Sequence, residues 1–180
     1  MKTALVLFAE GSEELEAVTV VDILRRGGVT VTLAGLSAGA LRGSRGTQLV
    51  PDTTLDEALT HNYDLVVLPG GQPGTRHLQA DVRVLKLVQH MAQQGKYVTA
   101  ICAAPSVLAS AGLLDGKHAT SFPGSLDAFP QVVLKSDAVV EDGKLITSRG
   151  PGTAMDFALI LVERLMGKEK RLSVEAGLQR

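Results

Sequence analysis

Four short apolar runs, separated by segments of helical periodicity, decide most of what this chain can fold into. Residues 4–9, 29–34, 64–68 and 97–101 are five or six residues long and rich in Val, Leu and Ile. That is too short for a helix and too evenly apolar for a strand with one wet face, so strands buried on both faces are expected. Segment 13–26 has a helical pattern and stops at Gly27-Gly28; segment 78–94 carries Val82, Leu85, Val88, Met91 and Ala92 and stops at Gly95. Buried strands alternating with amphipathic helices imply an α/β fold, a parallel sheet covered by helices on both sides. A length of 180 residues suits one domain over 1–180 with a full core. In such sheets the working site lies beyond the carboxyl ends of the strands. Segment 10–16, the turn Pro69-Gly70-Gly71 and Cys102 should therefore converge.

Elsewhere the pattern is plainer. Ser12 is an expected N-cap for the first helix. Segment 35–46 reads as a Gly/Ser/Ala loop, 47–50 as an edge strand ahead of Pro51, and 55–59 as a short helix. Segments 119–122 and 132–134 suggest short strands, and 138–140 with 145–147 a hairpin about Asp142-Gly143. A final amphipathic helix over 153–166 is followed by a charged tail.

Composition removes several classes of function. Net charge is −1 and aromatics are 3% of the chain, which does not suit capture of nucleic acid. A single cysteine excludes an internal disulfide and any multi-cysteine metal site. The apolar run after Lys2 is short and meets Glu10, Glu13, Glu14 and Glu16, unlike a signal peptide, and no stretch is long enough to span a membrane. A cytoplasmic protein is expected.

Cys102 follows the run 97–101 directly, and Ala103, Ala104 and Pro105 open a helical segment. A nucleophile at a sharp strand-to-helix turn is mounted this way, and unpartnered backbone N–H groups there would lower a thiol's pKa from about 8.5. A small buried hydrophobe is the other reading of the same residue. Glu16 shares a helical stripe with Val20 and Ile23, so it is the carboxyl expected to be buried, protonated and able to donate a hydrogen bond to a thiolate. The alternative is that Glu13, Glu14 and Glu16 are all solvated and complement the helix dipole. Gly70-Gly71 could admit a backbone N–H to an oxyanion beside that of Ala103, or be a plain turn. None of His61, His77, His90 and His118 forms a metal-binding pair; His77 follows the glycine turn and could border the site.

The segments EGSEELEAVTVVDILRRGG (10–28), VLPGG (67–71), AICAAP (100–105) and TSRGPG (147–152) together resemble the DJ-one (Parkinsonism-associated deglycase) family of the ThiJ/PfpI superfamily, close to its bacterial YajL-like branch. The resemblance implies a flavodoxin-like three-layer α/β/α sandwich with a mostly parallel sheet, of class I glutamine amidotransferase-like type, that forms homodimers. It matches Cys102 to the family's reactive cysteine, Glu16 to the protonated glutamate beside it, and Gly71 and Ala103 to the backbone donors. Gly70, Arg26, Arg45, Phe122 and Pro151 are matched to the pocket or the dimer interface. One departure stands out. Phe122, after Thr120-Ser121, takes the place of a pocket histidine and cannot move a proton, so Glu16 would have to be both hydrogen-bond partner and acid/base. Ala103 stands where the superfamily's proteases have histidine, which argues against peptidase activity.

The activity so implied is a glutathione-independent glyoxalase or deglycase acting on methylglyoxal, glyoxal or glycated protein and nucleotide, with no metal or organic cofactor. The rival is an oxidative-stress sensor or redox-regulated chaperone built on the same cysteine.

Overall fold

The computed structural model describes residues 1–180 and carries the expected alternation of strand and helix. In chain order the first half runs β1 (Thr3–Phe8), α1 (Glu14–Arg26), β2 (Thr30–Gly35), β3 (Leu41–Arg42), β4 (Gln48–Leu49), β5 (Thr53–Thr54), α2 (Leu55–Ala58), β6 (Leu65–Leu68), α3 (Gly74–Ala80) and α4 (Val82–Gln93). The second half runs β7 (Tyr97–Ile101), α5 (Pro105–Ser110), β8 (His118–Ala119), β9 (Val133–Leu134), β10 (Val139–Asp142), β11 (Leu145–Ser148), a 3₁₀ turn (Pro151–Thr153), α6 (Ala154–Met166) and α7 (Lys168–Gly177).

Seven strands form the central sheet in the order β10-β11-β7-β6-β1-β2-β5. All neighbours are parallel except β10 with β11. Both faces are dry, and the strand period divides them. Ala4, Val6 and Phe8 enter one core with Val20, Ile23 and Leu24 of α1 and Phe157, Leu161 and Val162 of α6. Leu5, Leu7 and Ala9 enter the other, with Leu55 of α2, Leu78 of α3, Val88 of α4 and Val107 and Leu108 of α5. The result is the flavodoxin-like sandwich, and its connections leave the Cys102 turn at the carboxyl edge of β7, near the middle of the sheet.

Several local expectations are corrected. Ser12 does not cap α1. The cap position is Glu13, with no side-chain bond, while Ser12 Oγ accepts the N–H of Ala9 at 3.1 Å and is wholly buried. Residues 47–50 do not form the sheet edge; β4 pairs with β3 in a separate hairpin, and Thr53–Thr54 takes the edge beside β2. Segment 78–94 is broken at Asp81, whose extended backbone ends α3 and whose carboxylate accepts the N–H of Arg83 to start α4. The expected hairpin is present, with Asp142 opposite Leu145, so Gly143-Lys144 is the turn itself. The charged tail is a helix, α7, set off from α6 by Gly167 at φ +91° and tied to it by Arg171 and Glu163 at 3.4 Å.

Candidate active site

The turn after β7 is the structural centre. Cys102 has φ +65°, a left-handed conformation that L-residues with a Cβ rarely adopt. Backbone bonds hold it there: its N–H donates to Ser148 O at 2.9 Å, and its carbonyl accepts the N–H of Phe122 at 2.7 Å. The chain thus turns sharply off the strand and presents the side chain at the sheet's carboxyl edge. Ala103 and Ala104 lie in the turn, and α5 begins only at Pro105. The N–H groups of Ala103 and Gly71 both reach the Cys102 sulfur, so they come from two crossing turns rather than from the first turn of one helix.

Glu16 meets this turn from the other side. It is wholly buried, in the first turn of α1. One carboxyl oxygen, Oε2, accepts the N–H of Gly70 at 2.7 Å. Oε1 has no hydrogen-bond partner, and the neighbouring Cys102 thiol favours the charged form of the carboxyl. Gly70 has to be glycine: a Cβ there would lie 2.6 Å from Cys102 Cβ and 3.0 Å from Glu16 Oε2. Gly71 is at φ +83°, and a Cβ there would collide with the backbone nitrogen of Glu13. Such close approach of three segments is available only to glycine.

Burial sets the electrostatics. Desolvation pushes the Glu16 carboxyl up to about 7, against the bonds from Gly70 and Cys102 that favour its charged form; the negative charge of Glu13 adds to the rise. The Cys102 thiol is pushed up to about 12, first by burial and then by the charge and hydrogen bond of Glu16, with Gly71 and Ala103 opposing. A lowered thiol was the expectation from position alone. The direction reverses because burial of the sulfur, and after it the neighbouring carboxylate, outweigh the two backbone N–H groups. The pair therefore carries at most one negative charge near neutrality, and the thiolate forms readily only where Glu16 keeps a proton.

Cys102 opens on a pocket of about 310 Å³ lined by Glu13, Ser44, Arg45, Gly71, Gln72, Ala103, Phe122, Ser125 and Pro151. Arg45 is largely exposed, with Nε 3.7 Å from Glu13 Oε2, and Ser44 Oγ donates to the same oxygen at 2.7 Å. Of the residues singled out in the sequence, the structure brings together Cys102, Glu16, Gly70, Gly71, Ala103, Arg45, Phe122 and Pro151. It does not bring Arg26, which pairs with Asp22 at 2.7 Å at the other end of α1. No histidine lines the pocket. His77 borders a separate groove with Glu10 and Arg83, and His118 bonds Asp142 at the surface.

Glu13 and Glu14 are the residues that sequence reasoning misjudged. Both are buried rather than solvated. Glu14 accepts the N–H groups of Arg45 and Thr47, each at 3.1 Å, and so fastens the loop that carries Ser44 and Arg45. The signal available was the small Gly43, where a Cβ would collide with the Glu14 carboxylate.

Comparison with known proteins gives the chain's family. Residues 2–164 match the model of the DJ-1/PfpI family. The chain belongs to the DJ-1/PfpI family. It is 45% identical to the Drosophila melanogaster protein dj-1beta, over 98% of this chain and 96% of that one. It is 36% identical to a Caenorhabditis elegans protein named glutathione-independent glyoxalase DJR-1.2, over 96% and 94%. Among solved structures, D. melanogaster DJ-1beta superposes with a TM-score of 0.95 at 45% identity, covering 99% of this chain and 97% of that one. Oxidized Toxoplasma gondii DJ-1 superposes with a TM-score of 0.95 at 35% identity, covering 99% and 98%. No helix is long and apolar enough to cross a membrane.

Proposed function

We propose that the chain is a glutathione-independent glyoxalase, with deglycase action on early glyoxal adducts as the same chemistry on a larger substrate. The observation that supports it is the contact between a wholly buried Glu16 carboxyl, titrating near neutrality, and the Cys102 thiol on its left-handed turn. A general acid/base works best with a pKa near the operating pH. The family contains a glyoxalase-named relative, which supports the same reading.

The steps need only this chain's groups. The Cys102 thiolate, formed beside protonated Glu16, adds to the aldehyde carbon of R–CO–CHO, and the new alkoxide is held by the N–H groups of Gly71 and Ala103 and protonated to a hemithioacetal. Ionised Glu16 then removes the proton on that carbon and delivers it to the neighbouring carbon, giving an R–CHOH–CO–S thioester. One carbon is oxidised as the other is reduced, so no external electron acceptor is required. Water cleaves the thioester to the 2-hydroxy acid and frees the thiol. A reducing, cytoplasmic compartment suits a lone working thiol. A homodimer would use the outer face of α1, where Leu15 and Val18 are about half exposed.

The test is lactate formed from methylglyoxal without glutathione. Reduced wild type should produce it, while Cys102→Ser and Glu16→Gln should each lose at least about a hundredfold. Wild-type output no higher than that of Cys102→Ser would sink the proposal. A redox sensor or chaperone would then be the better reading, favoured by the pocket that opens on the Cys102 sulfur and by a relative solved in a form called oxidized.

A further inference from the structure

Phe122 is half exposed in a neighbourhood whose other reactive groups are buried. Its main chain is fixed: the N–H donates to Cys102 O at 2.7 Å, and the carbonyl accepts Ser125 N–H and Ser121 Oγ, each at 3.0 Å. The next loop runs beside its ring, since a Cβ on Gly150 would lie 3.6 Å from Phe122 Cδ2. The ring therefore has that loop on one side and is half exposed. Phe122 also lines the pocket above Cys102.

By chemistry the pocket lining falls into two groups. Phe122, Ala103 and Pro151 offer carbon, whereas Glu13, Ser44, Arg45 and Gln72 offer polar atoms that already bond one another in part. With the aldehyde carbon on Cys102 Sγ and its oxygen toward Gly71 and Ala103, the remainder of a 2-oxoaldehyde has to extend into this pocket. An anionic substituent would meet the Glu13 carboxylate, whose nearest cation, Arg45, lies in solvent and is screened. A hydrogen in place of a substituent leaves the ring face wet. An apolar group covers it and removes that area from water.

We propose that Phe122 sets the substrate class of this site as 2-oxoaldehydes bearing an apolar group, aryl above all. This rests on the glyoxalase reading of Cys102. Phe122 is then a specificity-determining residue: it touches the substituent and takes no part in proton transfer.

The experiment measures kcat/KM for glyoxal, methylglyoxal and phenylglyoxal in wild type, Phe122→Ser, Phe122→Gln and Phe122→Leu. The ratio for phenylglyoxal over glyoxal should fall about tenfold or more in both polar variants, and stay within about threefold of wild type in Phe122→Leu. The loss should be carried by phenylglyoxal. Persisting turnover with an unmoved ratio, or an equal loss for all three dicarbonyls, overturns the assignment of Phe122 and leaves the glyoxalase reading standing. No turnover of any dicarbonyl by wild type overturns both. Two polar replacements of different size guard against one that fails to fold.

Discussion

A single proton governs Glu16 and Cys102. The folded protein holds the Glu16 proton up to about pH 7, against an ordinary value of 4.5. Stability from this group is thus complete below pH 4.5, declines as the pH rises toward 7, and is level above it. The gap corresponds to about 3 kcal/mol at most. Glu16→Gln keeps an acceptor for the Gly70 N–H but carries no charge, so it should match wild type at pH 4.5 and exceed it by up to about 3 kcal/mol at pH 8. Denaturant unfolding at the two pH values checks this, and equal stability at pH 8 would mean that the carboxyl ionises without penalty. The same substitution removes the charge that raises the Cys102 thiol, so alkylation by iodoacetamide at pH 8 should quicken about tenfold even as turnover is lost. Glu16 could be picked from its neighbours in the sequence because its helical stripe contains Val20 and Ile23. The direction of the Cys102 shift could not, since it depends first on burial and then on a carboxylate 86 positions away, both supplied only by the fold.

Short loops, more than helices, shape the pocket, and they are where local sequence pattern says least. The loop between β3 and β4 is held by Glu14, whose carboxyl is raised by burial but lowered further by the N–H groups of Arg45 and Thr47, for a net depression. Its contribution is present above pH 4.5 and is lost as the pH falls through the depressed value. Glu14→Ala should leave those N–H groups without their acceptor, cost about 1–3 kcal/mol, and expose the loop. Trypsin cleavage after Arg45, followed by mass spectrometry, should accelerate strongly. An unchanged rate would show that the β-hairpin holds the loop unaided. The helices tell the complementary story. Segment 82–93 was legible as a helix from the spacing of Val82, Leu85, Val88, Met91 and Ala92, yet the buried face is Val84, Val88 and Met91 with Val82 exposed, and the break at Asp81 was hidden inside continuous helical spacing. Helix α7 was missed because Val174 is its sole buried residue, which leaves no apolar stripe to read.

At the level of the whole molecule, the parallel sheet was the most legible feature. A strand dry on both faces cannot show the alternation of a surface strand, and four such runs separated by helices admit few topologies. The sheet edge was not legible, because Thr53–Thr54 makes only two residues of pairing. The exposed face of α1 bears on assembly: Leu15 and Val18 lie on it, and a charge there should disfavour a second copy. On the proposed dimer, wild type is expected to sediment as a dimer and Val18→Arg as a monomer, with unchanged circular dichroism. A dimer that survives the change would place the interface elsewhere.

The turns around Cys102 are laced to one another through main chain: Glu13 N–H to Gly70 O, Phe122 N–H to Cys102 O, Cys102 N–H to Ser148 O, and Ser44 N–H to Ser12 O, all between 2.7 and 2.9 Å. Such lacing is indifferent to which side chain each residue carries. A residue such as Phe122 can therefore be exchanged over evolutionary time without shifting the sulfur beside it. The frame does not depend on its wall residues, so on the proposed function substrate preference can change one wall residue at a time.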